Sequence, residues 1–490
     1  MFNIKINYKK LLKMEASDKN QKNEISIKSD TNEQAPKASL SNIFIFILFG
    51  LASLLGWNAV MSELPFFSFY LSKMDPPTSF PFLNFALNIV LQFLMLYKRN
   101  LVPLKFRLFG GLIAGIAIMI LLPIIVLFIE KNSTTNVIVT GAIILIMGMV
   151  NALCSGGFFA LVSFFPINLM IAFSAGQGFS GVMMNIIQII VLFSVNSGDQ
   201  QKDLNVTAWI YFGISSGFLA IVLFILLYQF KTDFFKFYLK PLYDRAKRQK
   251  EEKEKKIEDN EDNKDEEYID GEKKKEKPPT SETSEDQKLK LKENKGVNNE
   301  QKPNTNDDKS INKKTKEVSF WEMFKILMDL DLLRTYINLI SNSLFPKAGV
   351  TQSLFHTGKY KVVTILVIYN FMDFFGRYIV LAFKQTKRKT YIISLGRTIL
   401  VFLLIFNYYC EKDLSVDLTV TSILLIIYTF ALGLTHGMGN SLCFGLAPTL
   451  VKDDLKLQAG SSMSFFTVFG LFLGSCLAFL TKYILEKIEE

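Results

Sequence analysis

The sequence predicts an all-α, polytopic membrane protein of about eleven transmembrane helices, six before a long polar interruption and five after it. Three observations lead there. Half of the 490 residues are hydrophobic and 45 are Phe, well above soluble usage. The apolar residues come in long unbroken blocks instead of periodic stripes. One block, from Val362 to Phe383, encloses an acid and a base four residues apart, Asp373 and Arg377.

Blocks of about 20 residues match the length a helix needs to cross a bilayer. In order they cover residues 41–62, 80–97, 108–129, 137–164, 171–195 and 208–230, then 332–354, 361–383, 391–410, 419–445 and 460–484. Gly and Pro inside the fourth, fifth and tenth blur their ends. The interruption, from Asp244 to Val318, is dense in Lys, Glu, Asp and Asn and carries too few large apolar residues to offset the entropy of ordering. Its borders, Phe234–Leu239 and Phe320–Lys325, mix aromatics with charges and predict helices lying at the membrane interface. The domain reading is therefore a polar tail at 1–40, a six-helix bundle at 41–230, a charged loop at 231–330, a five-helix bundle at 331–484 and a tail at 485–490.

Orientation follows from Lys and Arg. The leader is lysine-rich, and Lys98, Arg99, Lys105 and Arg107 crowd the second connection, as Lys384, Lys387, Arg388 and Lys389 crowd the eighth. The positive-inside bias puts these segments, the N-terminus and the 231–330 loop in the cytosol. Eleven crossings then leave the C-terminus outside, along with two glycosylation sequons at Asn132 and Asn205. The first helix is expected to act as an uncleaved insertion signal, in the plasma membrane more readily than in an internal one. The net charge of +10 reflects loop bias and implies no nucleic-acid partner.

Cys154, Cys410, Cys443 and Cys476 lie in or beside apolar spans without metal-ligand spacing, so neither a metal nor a disulfide framework is expected. His356 and His436 are far apart, and no nucleophile–base motif accompanies them. An enzyme is excluded on that ground, and no cofactor is expected.

A charge at membrane depth costs about 2.5–3.5 kcal/mol on insertion scales, so it faces a bundle interior or a wet cavity. At i,i+4 Asp373 and Arg377 share one helix face and offset each other's burial. That face points to a solute pathway. Lys347, beside Pro346, reads either as a lone buried cation or as a vestibule residue. The pairs Gly111/Gly115, Gly433/Gly437 and Gly470/Gly474, and the cluster from Gly176 to Gly181, mark close helix approach.

The motifs carry a resemblance. Leu55-Gly56-Trp57-Asn58-Ala59-Val60-Met61, Pro166, Gly176-Gln177-Gly178-Phe179-Ser180-Gly181, and Asn370, Asp373, Gly376 and Arg377 occur in order. With them come Arg397, the stretch His436 to Pro448, and Ala459 to Phe466. Together the chain resembles the equilibrative nucleoside transporter family along nearly all of its membrane part.

The resemblance implies two bundles in a major-facilitator-like arrangement and facilitative transport of purine or pyrimidine nucleosides by alternating access near mid-membrane. Proton linkage is left open, and the partners are nucleosides and the bilayer, with nucleobases and protons as further candidates. A nucleoside's hydroxyls need charged or amide partners, which Asp373 and Arg377 supply unless they are only a structural pair bridging helices, with Asn370 either touching substrate or satisfying Asp373. Its base needs an apolar slot, which suits Trp57 and Met61. Asn58 reads more as a gating hydrogen bond than as a ligand. Gly176, Gln177, Gly181 and Arg397 read as structural or gating residues.

Two positions depart from the family. Ser155 stands where a glutamine often recognises the base, and a hydroxyl offers no amide. His436 stands where an asparagine is usual; it is either a neutral hydrogen-bonding substitute or, with an ordinary pKa of about 6.5, a proton carrier. The alternatives to a nucleoside carrier are a carrier of nucleobases or another polar organic solute, and a non-transporting receptor or scaffold.

Overall fold

The computed structural model describes residues 36–98, 101–195, 197–244, 247, 251, 320–344, 354–355, 361–382, 384–412 and 416–489. Lys347, His356 and the loop interior, 252–319, lie outside the described residues. Among the described residues every regular element is helical.

The long helices are α1 (Leu40–Ser62), α2 (Pro76–Tyr97), α3 (Leu104–Phe128), α4 (Thr134–Val162), α5 (Ile167–Ser194) and α6 (Gln200–Gln229), followed by α7 (Phe320–Leu344) and α8 (Lys361–Ile379). Helix α9 breaks at Arg397 into Lys387–Gly396 and Thr398–Lys412; α10 is Leu418–Leu446 and α11 is Lys456–Glu489. Side-chain caps start several of them: Ser133 accepts from the Asn136 N–H, Asp199 from Gln201 and Lys202, and Asp417 from Thr419. Pro103 and Pro166 precede α3 and α5, where a missing N–H removes no helical bond.

Ten helices among the described residues are long and apolar enough to cross a membrane. The difference from the expected eleven is the seventh. Its helix begins at Phe320, twelve residues ahead of the expected span, and carries Glu322, Lys325, Asp329, Asp331 and Arg334. Those charges dilute its hydropathy, yet Asp331 and Arg334 are buried against α11 and α10. The aromatic segment Phe320–Lys325 is the first turn and a half of α7, not a separate interfacial helix. At the other border, a helix over residues 233–244 docks Phe235 and Leu239 out of solvent, with Phe235 4.8 Å from Phe165.

Packing divides the helices into two sets. Helix α1 lies on α5, α3 on α4 and α6, and α2 on α4; in the second set α7 lies on α11 and α8 and α9 on α10. The sets meet along α5–α8, α5–α10, α2–α11 and α4–α11. Missing side chains make the close contacts possible: a Cβ on Gly433 or Gly437 would fall on the α8 backbone, one on Gly470 or Gly474 on α7, and one on Gly111 on Cys154. Gly115 meets only ordinary contacts. Outward faces carry Ile113, Phe193, Phe224, Phe402 and Ile427, all strongly exposed, an apolar belt suited to lipid. Asn132 and Asn205 are both engaged: Asn132 Oδ1 accepts from the Ser72 N–H and hydroxyl, and Asn205 Oδ1 accepts from Tyr70 OH at 2.9 Å.

Candidate functional site

A cavity of about 700 Å³ lies between the two helix sets. Its wall includes the exposed residues Pro65 and Pro77, which place the mouth where α1 ends and α2 begins. The opposite end is shut. There Phe444 packs edge-on to Phe159 at 4.8 Å and near Phe173 at 5.8 Å, while Ile171, Val380 and Leu442 form a buried cluster. A Cβ on Gly460 would strike the Phe159 carbonyl, so only glycine lets α11 seat against α4 here.

Of the residues expected at the site, Trp57, Asn58, Met61, Ser155, Gln177, Gly181, Asn370, Asp373, Arg377 and His436 all line this cavity. Gly176 does not. It faces α1, where a Cβ would fall on the Ile47 carbonyl, so it packs within the first helix set. Arg397 stands behind the wall, fully buried, donating from Nη1 to the Ile337 carbonyl (3.1 Å) and from Nη2 to Ser341 Oγ (2.6 Å).

Asp373 and Arg377 form a buried pair, with Arg377 Nε 3.0 and 3.1 Å from the two carboxylate oxygens. Arg377 Nη1 reaches across to α5, donating to the Ser174 carbonyl (3.2 Å), the Ser174 hydroxyl (3.1 Å) and Gln177 Oε1 (3.4 Å). The glycine cluster makes that reach possible. A Cβ on Gly178 would sit 2.9 Å from Arg377 Cδ, and one on Gly181 would sit 2.9 Å from Asn370 Cγ.

His436 Nδ1 lies 2.8 Å from Ser341 Oγ and 3.5 Å from Arg397 Nη1. His436 Nε2 faces Asp373 Oδ1 at 3.9 Å and Asn440 Nδ2 at 3.2 Å. On the first helix set, Asn58 Nδ2 donates to Ser180 Oγ at 2.5 Å, and Trp57 tilts against Phe85 with ring centres 5.4 Å apart.

Sequence reasoning missed several cavity residues. Asn84, Asn88 and Asn151 are single amides in apolar helices, with Asn151 Nδ2 bonded to Asn84 Oδ1 at 2.9 Å. Arg334 escaped because the expected span started only two residues before it and its charged neighbours read as loop. An i,i+3 acid–base pair beside an apolar run, Asp331 and Arg334, was the available signal. Arg334 donates from Nε to Thr467 Oγ1 and from Nη1 to the Asn440 carbonyl (2.8 Å), with its guanidinium 5.2 Å from the Phe159 ring centre. Ser462 Oγ donates to the Asp331 carboxylate at 2.9 Å.

Two packed helix sets around a central cavity that holds buried polar side chains, wrapped in an apolar belt, are the architecture of a multi-pass membrane transporter. Solved structures share the fold. The proton:xylose symporter XylE matches with a TM-score of 0.56 at 13% identity, covering 92% of this chain and 90% of that one. The E. coli fucose:proton symporter FucP matches with a TM-score of 0.50 at 12% identity, over 92% and 93%. A family model described as "Nucleoside transporter" matches residues 141–483, so the chain belongs to the nucleoside transporter family. It is similar to equilibrative nucleoside transporter 1 of Homo sapiens, at 22% identity over 406 residues, 81% of this chain and 80% of that protein. It is also similar to equilibrative nucleoside transporter 3 of Rattus norvegicus, at 29% identity over 150 residues, 30% and 32% of the two chains.

Proposed function

We propose that the protein carries nucleosides down their gradient by alternating access around this cavity. The observation that carries the proposal is the Asp373–Arg377 pair, buried between the helix sets yet part of the cavity wall. Asp373 offers charge-assisted acceptance to a sugar hydroxyl, and Arg377 holds the carboxylate in place while tying α8 to α5. Trp57 and Met61 supply the flat apolar slot for the base, and Asn370 sits beside the pair as a further hydroxyl partner. Asn58 fixes α1 to α5 through Ser180.

With the N-terminus and the 231–330 loop in the cytosol, the mouth beside Pro65 and Pro77 faces outside, and the aromatic seal at Phe159, Phe173 and Phe444 is the inner gate. Rocking one helix set on the other breaks that seal and closes the mouth. The plasma membrane is the proposed location. His436 takes part as a hydrogen-bonding group between Ser341 and Asp373, and transport needs no proton gradient.

Purified protein in liposomes tests the assignment. Nucleoside uptake should follow the concentration gradient without ATP and with equal pH on both sides. Uptake of nucleobases or cations in place of nucleosides would overturn it.

A further inference from the structure

Ser155 brings no amide to the base, and its hydroxyl is occupied within its own helix, donating to the Asn151 carbonyl at 2.7 Å. One turn along α4, however, the Phe159 ring lies under the guanidinium of Arg334, which enters the same cavity wall from the opposite helix set. Thr467 and Asn440 anchor Nε and Nη1, leaving Nη2 without a hydrogen-bond partner among the described residues. Asp331, three residues earlier, takes its hydrogen bonds from Ser462, so its carboxylate does not clasp the guanidinium directly.

Building on the nucleoside assignment, we propose that Arg334 is the donor that reads the base edge, selecting bases that present acceptors there, above all 6-oxopurines. A guanidinium only donates, and Nη2 together with the second N–H of Nη1 presents a fork to two adjacent acceptors. A 6-oxopurine offers O6 and N7 side by side; a 6-aminopurine puts an N–H donor in place of O6 and opposes the fork. The spacing suits one nucleoside. Arg334 is anchored at Asn440, and His436, which faces Asp373, lies one turn earlier on α10, about 6 Å away along the axis. The ribose pair and the base donor therefore sit at two ends of one short stretch of cavity. A buried donor rejects a ligand lacking the acceptor more strongly than an apolar slot would.

The test compares inosine, adenosine and 7-deazainosine uptake in liposomes holding the full chain. The wild type should favour inosine over adenosine by about tenfold or more in kcat/KM, and 7-deazainosine, lacking the N7 acceptor, should fall toward adenosine. Arg334→Gln should bring the inosine-to-adenosine ratio close to unity by lowering inosine uptake more than adenosine uptake. Equal or reversed preference in the wild type overturns the proposal, as does an equal fall of both substrates in Arg334→Gln. Should the variant fail to fold, the 7-deazainosine comparison in the wild type decides alone. Absence of uptake for all nucleosides, with nucleobases carried, removes the nucleoside assignment itself and this proposal with it.

Discussion

Arg377 on α8 donates to the Ser174 hydroxyl on α5 at 3.1 Å, so the cation that neutralises Asp373 also bridges the two helix sets. A ligand that engages Asp373 alters the balance of forces on Arg377, and through it on the α5–α8 contact. Under the proposed alternating-access reading, binding and the rocking motion share one side chain.

Asp373→Asn is expected to raise the nucleoside KM about tenfold or more, since a hydrogen bond to a charged group is worth about 1.5–3 kcal/mol. It also leaves Arg377 buried without its counter-charge, so thermal stability should drop. Uptake kinetics and melting in detergent measure both. A KM unchanged alongside a lower melting temperature would give the aspartate a structural role only.

Ser174→Ala removes the hydroxyl that both Arg377 and Ser441 address. One or two lost bonds, at about 1 kcal/mol each, should shift the population toward the state opened at the sealed end by about fivefold or more. Thiol labelling of a cysteine placed at Val380, in the buried cluster of the sealed end, reports that opening. Labelling no faster than in the parent would detach this serine from the gate.

Gly437→Ala pushes a methyl onto the Asp373 carbonyl and the Arg377 amide. Overpacking at a helix crossing costs about 1–3 kcal/mol, so the melting temperature should fall and uptake with it. Gly217→Ala, with open space around it, serves as the control and should melt like the parent. Equal stability of the two variants would contradict the close α8–α10 approach.

Uptake should be indifferent to an imposed pH difference. A doubly protonated His436 ring would set one N–H against Nη1 of Arg397 and the other against Nδ2 of Asn440, both donors. Flux measured with equal and unequal pH checks this. A rise above about twofold under an inward proton gradient, abolished by His436→Asn, would make the histidine a coupling group.

The parts legible before any fold was known share a cause: each is expensive in a membrane unless it has a use. Asp373 and Arg377 stand out because charges inside an apolar run demand a partner, and i,i+4 spacing names it. The glycine pairs stand out because bare backbone invites a neighbour, though not which one: Gly176 turned out to serve α1, whereas Gly178 and Gly181 serve α8. Single asparagines such as Asn84 and Asn151 gave no such cue, since an uncharged amide in a helix is cheap enough to occur for packing alone. Arg334 was hidden by its own neighbours, whose charges lowered the hydropathy of α7 at the point where the helix begins to be buried.

By itself the chain of residues determined a helical membrane carrier with an ionic couple on the face of its eighth long helix, because hydropathy and helical periodicity are local properties. Which end of the cavity is open, how Arg377 spans to Ser174, and the placing of Arg334 over Phe159 opposite Ser155 were settled only by tertiary structure. These join residues more than a hundred positions apart. Such contacts depend on how whole helices pack, and no local pattern encodes that.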